Sequence, residues 1–234
     1  MIKYKVRNIN TLGDKEINLL YKELLNNKWQ FMIINNNMSK YVLTKEKSMF
    51  KIDDEDIFVE NTYNDVFYRT EIVNNSEVIN KDDLNLFRRY IEKYRDRIER
   101  SLYGDKYLFG SIAVRTGKNE FITTIRGKEN LNEYTIVKKV NTSKYIVYVS
   151  GKKATLNAPL LDTLFKNKDV KVIVHINHEY DDTLPYYEYA FPGTVRDSIR
   201  DNQGSFNIKY HGLFYLINNK GDIIKKEVDL NEVS

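Results

Sequence analysis

Val172-Ile-Val-His-Ile-Asn-His-Glu-Tyr-Asp-Asp-Thr-Leu-Pro-Tyr-Tyr-Glu-Tyr-Ala-Phe-Pro-Gly-Thr194 is the stretch on which the reading of this chain turns. An apolar run of β character carries His175 and His178 to its own end, and Glu179, Asp181, Asp182 and Glu188 follow at once among tyrosines. The only other histidine, His211, opens the segment His211-Gly212-Leu213-Phe214. Any site that uses imidazole must therefore bring these two places together. Upstream, Pro159 suits the first turn of a short helix over 159–167, and Asp169 leads into a strand over 170–176. Downstream, the Pro-Gly-Thr turn opens a helix from 194 to about 200, followed by strands near 206–210 and 213–217.

Working further outward, 108–115, 120–125, 135–140 and 144–150 read as strands, with Lys118-Asn119 and Asn141-Thr142-Ser143 as hairpin connections. Leu84, Phe87, Ile91, Tyr94, Ile98 and Leu102 recur in steps of three and four, which predicts one long amphipathic helix stopped by Gly104. The polar stretch 74–83 before it is the expected domain boundary. On its N-terminal side, 3–8 reads as a strand and 14–26 as a helix with Asp14 as N-cap. Strand-like runs follow at 31–34, 41–44, 49–52, 57–60 and 67–73, and Asp53-Asp54-Glu55-Asp56 reads as a solvated acidic turn without the spacing of a calcium loop. The expected class is α/β (α+β): a largely antiparallel central sheet flanked by helices over 82–228, preceded by a small α+β unit over 1–78 whose role the sequence leaves open.

Composition narrows the chemistry. At 234 residues the chain can bury roughly 70% of its unfolded surface without staples, and it holds no cysteine. That excludes thiol nucleophiles, cysteine-ligated zinc and iron–sulfur clusters, and it fits a reducing compartment. The net charge of +4 comes from cations interleaved with acids, which describes a solvated surface rather than a nucleic-acid footprint. The first residues lack an apolar signal core and no run approaches a membrane span, so a cytoplasmic protein without membrane or nucleic-acid partners is expected.

The order of motifs Gly110-Ser111-Ile112-Ala113-Val114-Arg115, Phe121-Ile122-Thr123-Thr124-Ile125-Arg126-Gly127-Lys128, the strand bearing His175, Phe191-Pro192-Gly193-Thr194 and His211-Gly212-Leu213-Phe214 resembles the class II aldolase/adducin family over residues 82–225. In that family a Gly-Asn-x-Ser-x-Arg strand and an Ile-Thr-Pro-x-Gly turn bind the substrate phosphate. The resemblance places Ser111, Thr123 and Gly127 in that role, with Ala113 where the family has Ser; Arg115 and Arg126 either add charge there or are ordinary strand-end residues.

The resemblance also implies a divalent metal, zinc, manganese or iron, held by His175, Asn177 and His211, with Asn177 where the family has a second histidine. His178 comes one residue later and faces away unless the backbone re-aims it. No carboxylate stands in Lys153-Ala154-Thr155-Leu156-Asn157, where the family has a glutamate. Two imidazoles and an amide make a poor zinc site, whereas Glu179, Asp181 or Glu188 could complete one for manganese or iron. The other reading of the histidines is a buried pair bonded to tyrosine or backbone. The segment between the histidine strand and Pro192 is shorter than in the aldolases, and Glu188 among Tyr186, Tyr187 and Tyr189 is the candidate acid–base group.

Two functions follow as expectations. One is a metal-dependent carbon–carbon lyase, or a related dehydratase or epimerase, acting on a small phosphorylated sugar or similar carbonyl compound. The other is an adducin-like domain that keeps the fold for binding or assembly. A homo-oligomer is implied by the resemblance in either case.

Overall fold

The computed structural model describes residues 3–37, 39–45, 49–53, 55–63, 65–73, 79–98, 107–200 and 203–226. The described residues up to Asp65 make one compact unit and those from Val66 onward a second.

In the first unit, strand β1 (Tyr4–Asn8) leads through helix α1 (Asp14–Asn26) into β2 (Phe31–Asn36), and β3 (Ser39–Thr44) and β4 (Met49–Ile52) complete a sheet in the order β1-β2-β3-β4. β1 and β2 run parallel, a pairing that needs a crossover such as α1, while the rest is antiparallel. Ile17, Leu20, Tyr21 and Leu24 of α1, spaced at three and four, pack on Met32, Ile34 and Leu43. The N-cap is Gly13 rather than Asp14, which falls instead in the first turn beside Glu16, where a carboxylate complements the helix dipole. Residues 57–60, expected as a strand, lie in helix α2 (Glu55–Tyr63). Acidic Glu55 and Asp56 in its first turn favour the helix, and Phe58 packs edge-on against Phe31 and Phe50.

The second unit is built on nine strands. Strand β5 (Arg69–Ile72) and helix α3 (Lys81–Ile98) come first, then the meander β6 (Ser111–Arg115), β7 (Phe121–Thr124), β8 (Tyr134–Asn141) and β9 (Ile146–Ser150). Helix α4 (Ala158–Leu164) precedes β10 (Val172–Asn177), β11 (Tyr186–Tyr187), helix α5 (Val195–Ser198), β12 (Phe206–Ile208) and β13 (Gly212–Ile217). The sheet order is β11-β12-β13-β10-β6-β7-β8-β9-β5, antiparallel except at its two edge pairs. β5, on the N-terminal side of the boundary expected at 74–83, is an edge strand of this sheet. Residues 99–106, including Leu102 and Gly104 of the expected helix end, lie outside the described residues.

Strand alternation sorts the two faces. Val172, Val174 and Ile176 of β10 face α3, where Phe87, Tyr90, Ile91, Tyr94 and Ile98 close one apolar cluster. Ile173 faces the other cluster, with Leu160, Leu161 and Leu164 of α4 and Phe206, Phe214 and Leu216. By parity His175 and Asn177 lie on this α4 face. No described helix is long and apolar enough to cross a membrane.

Candidate functional site

β10 is central, between β13 and β6, and its register fixes the site: His175 stands opposite Phe214 on one side and Ser111 on the other. The His175 ring stacks on Phe214 with centroids 4.1 Å apart. Just before β13, Tyr210 adopts φ 63°, and His178 adopts φ 61° just after β10. His178 N–H donates to His211 O at 3.0 Å, closing the two strand ends on each other. The residues between His211 and His178 are tightly nested. A Cβ on Gly212, which has φ 137°, would sit 2.1 Å from Ile176 O. Gly212→Ala is therefore expected to cost about 3 kcal/mol, through both backbone strain and clash, in urea unfolding followed by circular dichroism. A cost below about 1 kcal/mol would mean the strand ends can part freely.

This nesting brings His175 and His211 together across 36 positions of sequence, with Nε2 to Nε2 at 3.1 Å and both side chains 1% exposed. The proton positions follow from the partners. His175 Nδ1 lies 3.0 Å from Leu213 O, which can only accept, so Nδ1 carries the hydrogen and Nε2 is bare. His211 Nε2 must then be the donor of the 3.1 Å bond, which leaves His211 Nδ1 bare, buried and without a partner among the described residues. Both rings are held neutral. Burial pushes His175 down to about 3, against the helping bond to Leu213 and with further lowering from Lys128 and His178. Burial likewise pushes His211 well below the usual imidazole range, assisted by His175, Arg200 and His178. Burial lowers His178 as well.

Lys128 had no distinguishing signal beyond following a glycine turn. Its side chain is buried and donates from Nζ to Gly110 O at 2.6 Å, and burial alone pushes it down to about 7. Gly110, with φ 92°, lies so close that a Cβ would come within 2.7 Å of His175 O. Arg200 was equally unmarked; it pairs with buried Asp197, Nη2 to Oδ1 at 3.1 Å, and burial holds the Asp197 carboxyl up at about 6. Thr194 is the N-cap of α5, its hydroxyl accepting from Asp197 N–H, but the helix spans only four residues.

The remaining expected residues are placed as follows. Ser111 is buried beside His175 with its hydroxyl unpartnered among the described residues. Thr123 stands opposite Ala113 and gives its hydroxyl to Ile112 O at 3.1 Å. Gly127, with φ 64°, turns the chain with nothing within 4 Å of where a Cβ would sit. Arg115 lies at the other end of β6 from Ser111, about 13 Å along the strand, and its guanidinium donates to the carbonyls of Val170, Phe165 and Asn167. Asn177 lies within hydrogen-bonding reach of the His175 ring.

The carboxylates point elsewhere. Glu188 is 79% exposed and paired with Lys209. Glu179 bonds Arg97 at 2.8 Å, and Asp181 accepts from Thr183 and Tyr215. Asp182 accepts from the Tyr186 hydroxyl. Among the described residues no set of three or more His, Asp or Glu side chains is arranged to hold a metal ion. A ligating imidazole normally donates its other N–H to an acceptor, and His175 has one in Leu213 O while His211 Nδ1 has none among the described residues. Two imidazoles and an amide thus fall short of a catalytic metal's donor set.

Against known structures, the chain is similar to YgbL of Escherichia coli, a proposed aldolase/epimerase/decarboxylase, at 17% identity and TM-score 0.42, over 57% of this chain and 79% of that one. It is similar to YgbL of Klebsiella pneumoniae, with the same proposed activities, at 13% identity and TM-score 0.43, over 59% and 79%. It is also similar to L-fuculose 1-phosphate aldolase, at 14% identity and TM-score 0.45, over 65% and 79%. No protein-family model matches the sequence, and no curated protein does.

Proposed function

We propose that this aldolase-like chain has turned the inherited histidine frame into a structural link, and that it serves binding or assembly rather than metal-dependent cleavage of a phosphorylated carbonyl compound. The observation that supports this reading is the His175–His211 pair itself: two neutral, buried rings sharing one hydrogen at 3.1 Å, with no carboxylate among the described residues arranged with them to hold a metal. Glu188, the expected acid–base group, faces Lys209 and solvent instead. A homo-oligomer, as the family resemblance implies, belongs to this reading.

The 3.1 Å spacing by itself would also suit two nitrogens around one ion at about 2.0–2.1 Å, so the test is metal content. Protein purified without chelator is expected to carry well under one zinc, manganese or iron per chain, and its melting temperature to stay within about 1 °C on adding EDTA. Stoichiometric metal that is lost from His211→Ala together with stability would overturn the proposal in favour of the lyase.

A further inference from the structure

A cavity of about 480 Å³ opens at the other end of the β6 strand, between the β6–β7 hairpin and the C-terminal end of α4. That volume lies within the range of small-molecule sites. Its rim carries Lys118, Lys166 and Lys168, none of which forms an ion pair or side-chain hydrogen bond among the described residues. Arg115 adds a fourth positive charge, and three of its hydrogens go to the carbonyls of Val170, Phe165 and Asn167. Of the two carboxylates in the lining, Glu120 is already neutralised by Lys138 at 2.8 Å and accepts from Thr116. The other, Asp162, makes no hydrogen bond or ion pair among the described residues, and burial holds it up at about 6 against the nearby Lys166. Below them Phe121 and Phe165, in contact at 5.1 Å, supply an apolar floor.

We infer that this cavity binds a small organic phosphate, its phosphate on the lysine rim and a hydroxyl or amino hydrogen donated to Asp162. Four cations against two carboxylates, one of them already paired with Lys138, select an anion, and three lysines at a rim suit phosphate oxygens. A half-buried acceptor with no protein partner selects a ligand that also brings a donor, which inorganic phosphate does not do as well. The site is separate from the histidine pair and stands whether or not that pair holds a metal.

The test is calorimetric titration of the full chain with ribose 5-phosphate, AMP and inorganic phosphate. At least one organic phosphate is expected to bind at one site per chain, about tenfold or more tightly than inorganic phosphate, and which of the two binds better tells a sugar phosphate from a nucleotide. The Lys166→Met/Lys168→Met double variant, at exposed positions where folding is not at risk, is expected to weaken that binding at least about tenfold. Asp162→Asn should reduce organic-phosphate affinity while leaving inorganic phosphate unchanged, and His211→Ala should leave both unchanged. No binding of any probe at about 10 mM, equal binding by the double variant, or equal affinity for inorganic and organic phosphate would each overturn the inference.

Discussion

Acidification from pH 7 to pH 4 is expected to cost the native state about 3 kcal/mol through His175 alone, with a further loss through His211. Above about pH 6.5 the imidazoles are neutral in both folded and unfolded chains and cost nothing. As the pH falls from there toward 3, the unfolded chain takes up protons that the folded chain refuses, because a proton on either ring would lie buried with no anion to meet it. Each refused proton costs about 1.4 kcal/mol per pH unit. Asp197 pulls the other way: its carboxyl, held up at about 6, favours the folded state as the pH drops below that value. The pair is therefore isolated by difference. Urea unfolding of the native chain and of His175→Gln/His211→Gln at pH 7 and pH 4.5 should give a gap in stability that narrows by at least about 2.5 kcal/mol on acidification. A gap that does not change with pH would mean that the rings are protonated in the folded state.

Lys128 gives the second large effect, at the opposite end of the pH scale. Its amine is held at about 7 in the fold against 10.5 in the unfolded chain, so between these values the unfolded chain binds a proton that the folded chain does not. Stability contributed by Lys128 is thus complete only near pH 10.5 and is lost as the pH falls to 7. From pH 9.5 down to 7 the loss is about 3 kcal/mol. Lys128→Met fills a similar volume and abolishes the titration, at a pH-independent cost of about 1 kcal/mol for leaving Gly110 O without its donor. The variant is expected to be more stable than the native chain at pH 7, by a margin that shrinks by about 3 kcal/mol on going to pH 9.5. A difference of constant sign and size across that range would show that Lys128 keeps its proton in the fold.

How much of this was readable beforehand depends on the kind of signal. α3 and β10 were legible because their apolar spacing has one interpretation, and the long-range meeting of His175 and His211 because five ordered motifs implied it. α2 was misread as a strand, since nine residues of weak periodicity do not separate the two and the packing of Phe58 on Phe31 decides. The edge position of β5 was hidden because parallel pairing with β9 spans some seventy-five residues and leaves no local trace. Lys128 could not be singled out at all: burial of one lysine among many is a property of the packed sheet, not of its neighbours in sequence. Glu188 was chosen for its chemistry, while its partner Lys209 lies 21 residues on, between β12 and β13.

β10, hydrogen-bonded on both edges and covered on both faces, has a kinetic consequence. The imidazoles at its end share the fate of the backbone that carries them, so a proton from solvent reaches them at the rate at which the sheet opens rather than the rate of diffusion. A brief exposure to acid would leave the pair untouched, and only a sustained one would register.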